Sequence, residues 1–175
     1  MSLTTERTEP ESRFAEVAGY VDGRLHERGL LMAQGNSGGG AQIAFGLAYH
    51  GLGDILDVAN VSGGPPPCPI SAGGALNGSE QAECLVAVGV TGEAREPFLS
   101  GEPVLSYPRT TVNVFLGAEE PNAAIAASAR AFHEPITTAK SFTLLPGTAH
   151  SVAQTPEGAS ALLRAVRRAA GIHTN

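Results

Sequence analysis

Apolar residues recur along this chain in two rhythms, and their alternation predicts a layered α/β fold. Phe14, Val17, Ala18, Val21 and Leu25 stand at helical spacing and Gly29 follows as a stop, which predicts an amphipathic helix. The run Leu30-Leu31-Met32-Ala33 is short, apolar and bounded by glycines, as a buried strand is. From Gly38 to about His50, Ile43, Leu47 and small residues share one side of a helix that starts directly out of a glycine-rich turn. Ile55, Val58 and Val61 mark a second strand, ended by Ser62-Gly63-Gly64 and a run of prolines. Val112 to Leu116 is the third, followed by Pro121-Asn122 and a helix with Ile125, Ala129 and Phe132 on one face. Phe142 to Leu145 is the fourth. Beyond Gly147 a closing helix is bracketed by Thr155 as N-cap, Pro156 at its first position and Gly171 as its stop, with Leu162, Leu163 and Val166 as its apolar stripe.

Strands that alternate with helices are joined by right-handed crossovers, so the pattern implies a mostly parallel sheet of about four strands flanked by helices. Residues 1–12 read as a disordered lead and 13–175 as one domain. Residues 63–108 break the rhythm: glycine, proline and serine dominate, with one short helical stretch around Glu80 to Val88. A segment of that length between two strands is the place for a cap or binding insertion, and its apolar residues Leu99, Val104, Leu105 and Tyr107 are the expected lining of a substrate pocket.

Charge narrows the function. The chain of 175 residues carries a formal charge of −6 and no Lys/Arg-rich run, which argues against nucleic acid and anionic membrane surfaces, both of which need phosphates neutralised. No stretch has the length of a membrane span, and the first residues are polar and acidic rather than a basic start to an apolar run, so a cytoplasmic location is the default. Cys68 and Cys84 lie in no CxxC pair and near no histidine at zinc-ligand spacing; a disulfide between them and two free thiols both stay open. No metal or cofactor is implied.

The chemistry sits at strand ends. Gly35-Asn36-Ser37-Gly38-Gly39 matches G-x-S-x-G, follows an apolar strand and opens a helix. Flanking glycines let a sharp turn pass close to its neighbours and present the hydroxyl, while the Gly38 amide at the helix start is placed for a developing oxyanion. A phosphate loop fits worse, since neither Lys-Ser/Thr nor a G-x-G-x-x-G register is present. A serine nucleophile needs a base, and His150, in Gly147-Thr148-Ala149-His150 after the fourth strand, falls at the same sheet edge; His26, His50, His133 and His173 stand in or at the ends of helices or in the tail. The orienting acid is expected after the third strand, in Gly117-Ala118-Glu119-Glu120-Pro121, with Glu120 ahead of Glu119; no other carboxylate stands at a strand end with comparable logic, although Asp57 lies near the second strand.

On these features the segment from about Phe14 to Gly171 resembles the α/β-hydrolase superfamily of esterases, lipases, peptidases and other acyl hydrolases. Gly35 to Gly39 is similar to its nucleophile elbow, Gly117 to Glu120 to its acid loop, Gly147 to His150 to its histidine loop, and 63–108 stands where the family inserts a cap. The resemblance implies a serine esterase acting on a small ester or other acyl substrate. It is partial: the strands that precede the nucleophile strand in the family, and the loop giving a second oxyanion donor, have no counterpart before Leu30. An exposed nucleophile strand would then be an edge open to pairing with a second copy. The competing expectation is a truncated, non-catalytic remnant or edge-strand binding module.

Overall fold

The computed structural model describes residues 10–25, 27, 29–64 and 103–172. In chain order these form α1 (Pro10–Arg24), β1 (Met32–Asn36), α2 (Gly38–Tyr49), β2 (Val58–Ser62), β3 (Thr111–Gly117), α3 (Ala123–His133), β4 (Lys140–Leu145) and α4 (Pro156–Ala169). The strands make one sheet in the order β1-β2-β3-β4, each neighbouring pair parallel. The expected architecture of four parallel strands flanked by helices is what the chain adopts.

Alternation divides the sheet into two faces. Ala33, Ala59, Val61, Val112, Val114 and Leu116 join the main core with Ile43, Leu47 and Phe132 from the helices. On the opposite face a smaller cluster of Phe115, Leu145, Val152, Ala161 and Leu162 seats α4. Every residue of β2 is buried, as expected for an internal strand of a parallel sheet. That opposite face also carries a polar row in register across the strands: Gln34, Asn60, Asn113 and Ser141. Asn113 Nδ2 donates to Asn60 Oδ1 at 3.0 Å, and Ser141 Oγ donates to Asn113 Oδ1 at 2.6 Å.

Several boundaries differ from the sequence reading. α1 begins at Pro10, inside the segment expected to be disordered. Its buried side is Ala15 and Ala18, while Val17 and Leu25 are 59% and 65% exposed, because α1 packs on α2 along a strip narrower than its apolar stripe. β1 starts at Met32 and continues through the less apolar Gln34-Gly35-Asn36, since pairing with Val58–Ser62 sets the strand's extent more than hydrophobicity does. In α4, Leu162 is buried and Leu163 exposed; Ala161 takes the expected place. Thr155 Oγ1 caps α4 by accepting from Gly158 N–H at 3.1 Å, and Gly171 follows it with φ +69°. The helix expected at 80–88, Leu99 and both cysteines lie outside the described residues.

The amino-terminal ends of the strands are closed by a structural clamp. Asp57 Oδ2 accepts from Leu31 N–H at 2.8 Å, and Oδ1 pairs with Arg109 Nε at 3.3 Å. Thr110 Oγ1 lies within hydrogen-bonding reach of the Gly53 and Leu56 carbonyls. The opposite, carboxyl-terminal ends carry the candidate site. No helix among the described residues is long and apolar enough to cross a membrane.

Candidate active site

β1 ends at Asn36 and α2 begins at Gly38, so the reversal of the chain falls on one residue, Ser37. Its φ of 55° and ψ of −119° make it the one non-glycine residue with positive φ among those described. Such a conformation costs about 1–3 kcal/mol and persists only where the surroundings impose it. They do: Ser37 N–H donates to Ser62 O at 2.9 Å, and Ser37 O accepts from Ala41 N–H at 2.9 Å. The strand must also pass close to the helix. A Cβ on Gly35 would lie 2.3 Å from Gly39 C, so no side chain fits. The Ser37 side chain makes no capping bond. Gly38, first in α2, has an amide with no acceptor inside the helix.

The next parts come from the ends of β3 and β4. Glu120 lies in the turn after β3 with its side chain 3% exposed, and its Oε2 is 2.7 Å from His150 Nδ1. Glu120 Oε1 accepts from Asn122 N–H at 3.1 Å, and Asn122 Oδ1 in turn caps α3 through Ala124 N–H at 3.0 Å. An ionised carboxylate only accepts, so a hydrogen bond here requires the proton on His150 Nδ1, and the neutral ring in that tautomer keeps a lone pair on Nε2. Glu119 is exposed and contributes its backbone instead, N–H to Thr148 O at 3.0 Å. Gly117 permits this approach: a Cβ there would lie 2.2 Å from both the Thr148 and Ala149 carbonyl oxygens.

A junction beneath these loops joins the serine and histidine segments. Asn36 Oδ1 lies 3.1 Å from Ser62 Oγ and accepts from Val152 N–H at 3.2 Å. Val152 is fully buried and stands two residues past His150. Gly63, with φ +69°, lies against the junction: a Cβ would be 2.9 Å from His150 O and 3.1 Å from Asn36 Oδ1. Asn36 stands inside G-x-S-x-G, but its partner is a backbone amide 116 positions away, which no spacing or side-chain pattern announces.

Ser37, Gly38, Glu120 and His150 thus belong to the same end of the sheet. Leu105 and Tyr107, expected in a substrate pocket, do not. Tyr107 is 2% exposed, packs on Gly53, donates through its hydroxyl to Val104 O and through its amide N–H to Thr138 Oγ1, all at the amino-terminal ends of the strands. Leu105 O accepts from Thr137 N–H beside it. Both close the core just before β3, at the end of the sheet opposite Ser37. Asp57 belongs to that clamp as well. His133 ends α3 with its ring edge against Phe142, and burial with the nearby Lys140 charge lowers its pKa below the usual histidine value.

No family model and no curated protein matches the sequence. Solved structures do. A monoacylglycerol lipase of Paleococcus ferrophilus superposes with a TM-score of 0.56 at 13% identity, covering 95% of this chain and 77% of that one. The chain has an α/β-hydrolase fold. Two further solved structures are similar at 16% identity and a TM-score of 0.52. One is the esterase domain of a Rhodothermus marinus protein, covering 96% of this chain and 72% of that one. The other is an alpha/beta hydrolase enzyme from a sediment metagenome of the lagoon of Mar Chica, Morocco, covering 90% and 69%. At these identities the likeness establishes the α/β-hydrolase fold itself.

Proposed function

We propose that the protein is a serine hydrolase of the esterase type. The observation that carries the reading is the left-handed backbone of Ser37 at the turn from β1 into α2, a strain that a merely connecting turn would relieve by placing glycine there. The Glu120–His150 pair, at 2.7 Å on the same end of the sheet, supplies the base a serine needs.

In this reading Ser37 Oγ attacks the acyl carbonyl carbon as its proton passes to His150 Nε2. Glu120 holds the ring through Nδ1–H and stabilises the imidazolium that forms. The carbonyl oxygen, now an oxyanion, takes a hydrogen bond from Gly38 N–H at the positive end of α2. His150 returns the proton to the departing alkoxide, the bond between acyl carbon and leaving oxygen breaks, and an alcohol leaves. Water, deprotonated by the same histidine, then hydrolyses the acyl-serine and releases the carboxylic acid. The lipase and esterase neighbours agree with this class of substrate, a small ester or other acyl compound.

The test is covalent labelling with a fluorophosphonate probe. Wild-type protein labels, and Ser37→Ala and His150→Ala abolish it. A folded wild-type sample that does not label would favour the second reading, a binding module, for which the observation is that β1 forms an edge of the described sheet with Gln34 exposed.

A further inference from the structure

Asn36 precedes the serine, and its side chain faces away from the main core, on the sheet face shared with Ser62 and Phe115. There one atom, Oδ1, meets two elements distant in sequence. It lies 3.1 Å from the hydroxyl of Ser62 at the end of β2, and it accepts from Val152 N–H at 3.2 Å, across 116 positions of chain. Val152 is a firm attachment: its side chain is fully buried with Phe115, Leu145, Ala161 and Leu162. The same amide also donates to His150 O at 3.1 Å, so the histidine backbone and the Asn36 oxygen share one donor.

We propose that Asn36 is a positioning residue, whose carbonyl oxygen couples the nucleophile strand to the histidine loop and so sets His150 at its working distance from Ser37. This rests on the serine-hydrolase reading and adds to it. The Val152 contact uses Asn36 as an acceptor, while the Ser62 hydroxyl divides its single proton between Asn36 Oδ1 and Gly35 O at 3.0 Å. The coupling is geometric. Glu120 orients the imidazole ring from the side of β3, whereas Asn36 fixes the backbone that carries the ring relative to β1. Reacting groups displaced by about 1 Å lose up to about a hundredfold in rate.

The chemistry distinguishes positioning from general support. Asn36→Leu keeps the volume and removes the acceptor. Asn36→Asp keeps an acceptor oxygen in place but puts a charge into a half-buried position, which costs stability. If the oxygen positions His150, Asn36→Leu labels with fluorophosphonate about 10- to 100-fold more slowly than wild type, and with a p-nitrophenyl ester the loss falls on kcat rather than KM. Asn36→Asp then recovers the rate to within about fivefold of wild type while melting no higher than Asn36→Leu. A role in stability alone would make rate follow melting temperature and give no such recovery.

Equal labelling of Asn36→Leu and wild type overturns the proposal and leaves the hydrolase reading intact, as does an Asn36→Asp protein as slow as Asn36→Leu. A folded wild-type chain that never labels overturns both. Should Asn36→Leu fail to fold, Asn36→Gln retains the amide and moves its oxygen by one methylene: slow labelling supports the role and a wild-type rate removes it.

Discussion

Gly117→Ala tests the contact between the acid and histidine loops. Gly117 does not have positive φ, so the objection to a side chain there is steric alone. The added Cβ would sit 2.2 Å from two carbonyl oxygens, Thr148 O and Ala149 O, and both belong to backbone, which cannot swing away as a side chain can. Reaching an ordinary contact of 3.4 Å requires the loops to part by about 1.2 Å. That movement breaks the Glu119 N–H bond to Thr148 O, now 3.0 Å, and strains that of Ala118 N–H to Leu145 O, now 2.9 Å. Overpacking of about 1–3 kcal/mol and about 1 kcal/mol for each hydrogen bond give a loss of about 3–5 kcal/mol. For a chain of this size that lowers Tm by about 10 °C. The same displacement carries Glu120 out of hydrogen-bonding range of His150, so fluorophosphonate labelling falls with it. Thermal unfolding followed by circular dichroism and labelling at a temperature where both proteins are folded read the two effects. A Gly117→Ala protein melting within about 2 °C of wild type would show that the loops are not packed as described.

Three further outcomes follow from named contacts. Glu120→Gln keeps the size of the side chain but removes the charge that stabilises an imidazolium, and labelling should slow by at least about a hundredfold with little change in Tm. Asp57→Ala strands Leu31 N–H and Arg109 at the far end of the sheet, costing about 1–3 kcal/mol in urea unfolding while labelling at saturating temperature margins stays at the wild-type rate. His133, flanked by Lys140, Glu134 and Arg130, has a lowered pKa, so the unfolded chain binds more protons between that value and about 6.5. Stability from this group is complete above that window and is lost as pH falls through it; His133→Phe, which keeps the ring contact with Phe142, should flatten that part of the Tm-against-pH curve.

The strands and helices were legible because their apolar periodicity and their caps agree: Thr155, Pro156 and Gly171 bracket α4 just where the stripe begins and ends. The sharp strand-to-helix turn at Ser37 was legible from its glycines, whose need is a local matter of backbone approach. The pairing of His150 with Glu120 rather than Glu119 was readable only as a preference, because two adjacent residues in a turn point in different directions and the turn geometry decides which faces the histidine. Tyr107 misled for a physical reason. An aromatic residue in a polar stretch looks like a pocket wall, yet here it is the residue that closes the core over Gly53 before β3 begins. Asn36 was hidden because its partner Val152 is distant in sequence and contributes only a backbone amide, which leaves no trace in side-chain pattern.

The amide row across the sheet bears on how the strands find one another. An all-aliphatic parallel sheet has many nearly equivalent alignments, since valine packs against alanine about as well one pleat along. Asn60 and Asn113 do not share that tolerance: sliding β3 by two residues on β2 keeps every side chain on its face but sets a buried amide beside Phe115 or Thr111 and severs the bond from Asn113 Nδ2 to Asn60 Oδ1. The row therefore acts as a key that admits one alignment. Since the Asn60–Asn113 alignment sets Ser62 beside Phe115 and the Asn113–Ser141 alignment sets Gly117 beside Leu145, the meeting of the loops after β2, β3 and β4 is tied to three polar residues near the middle of the sheet.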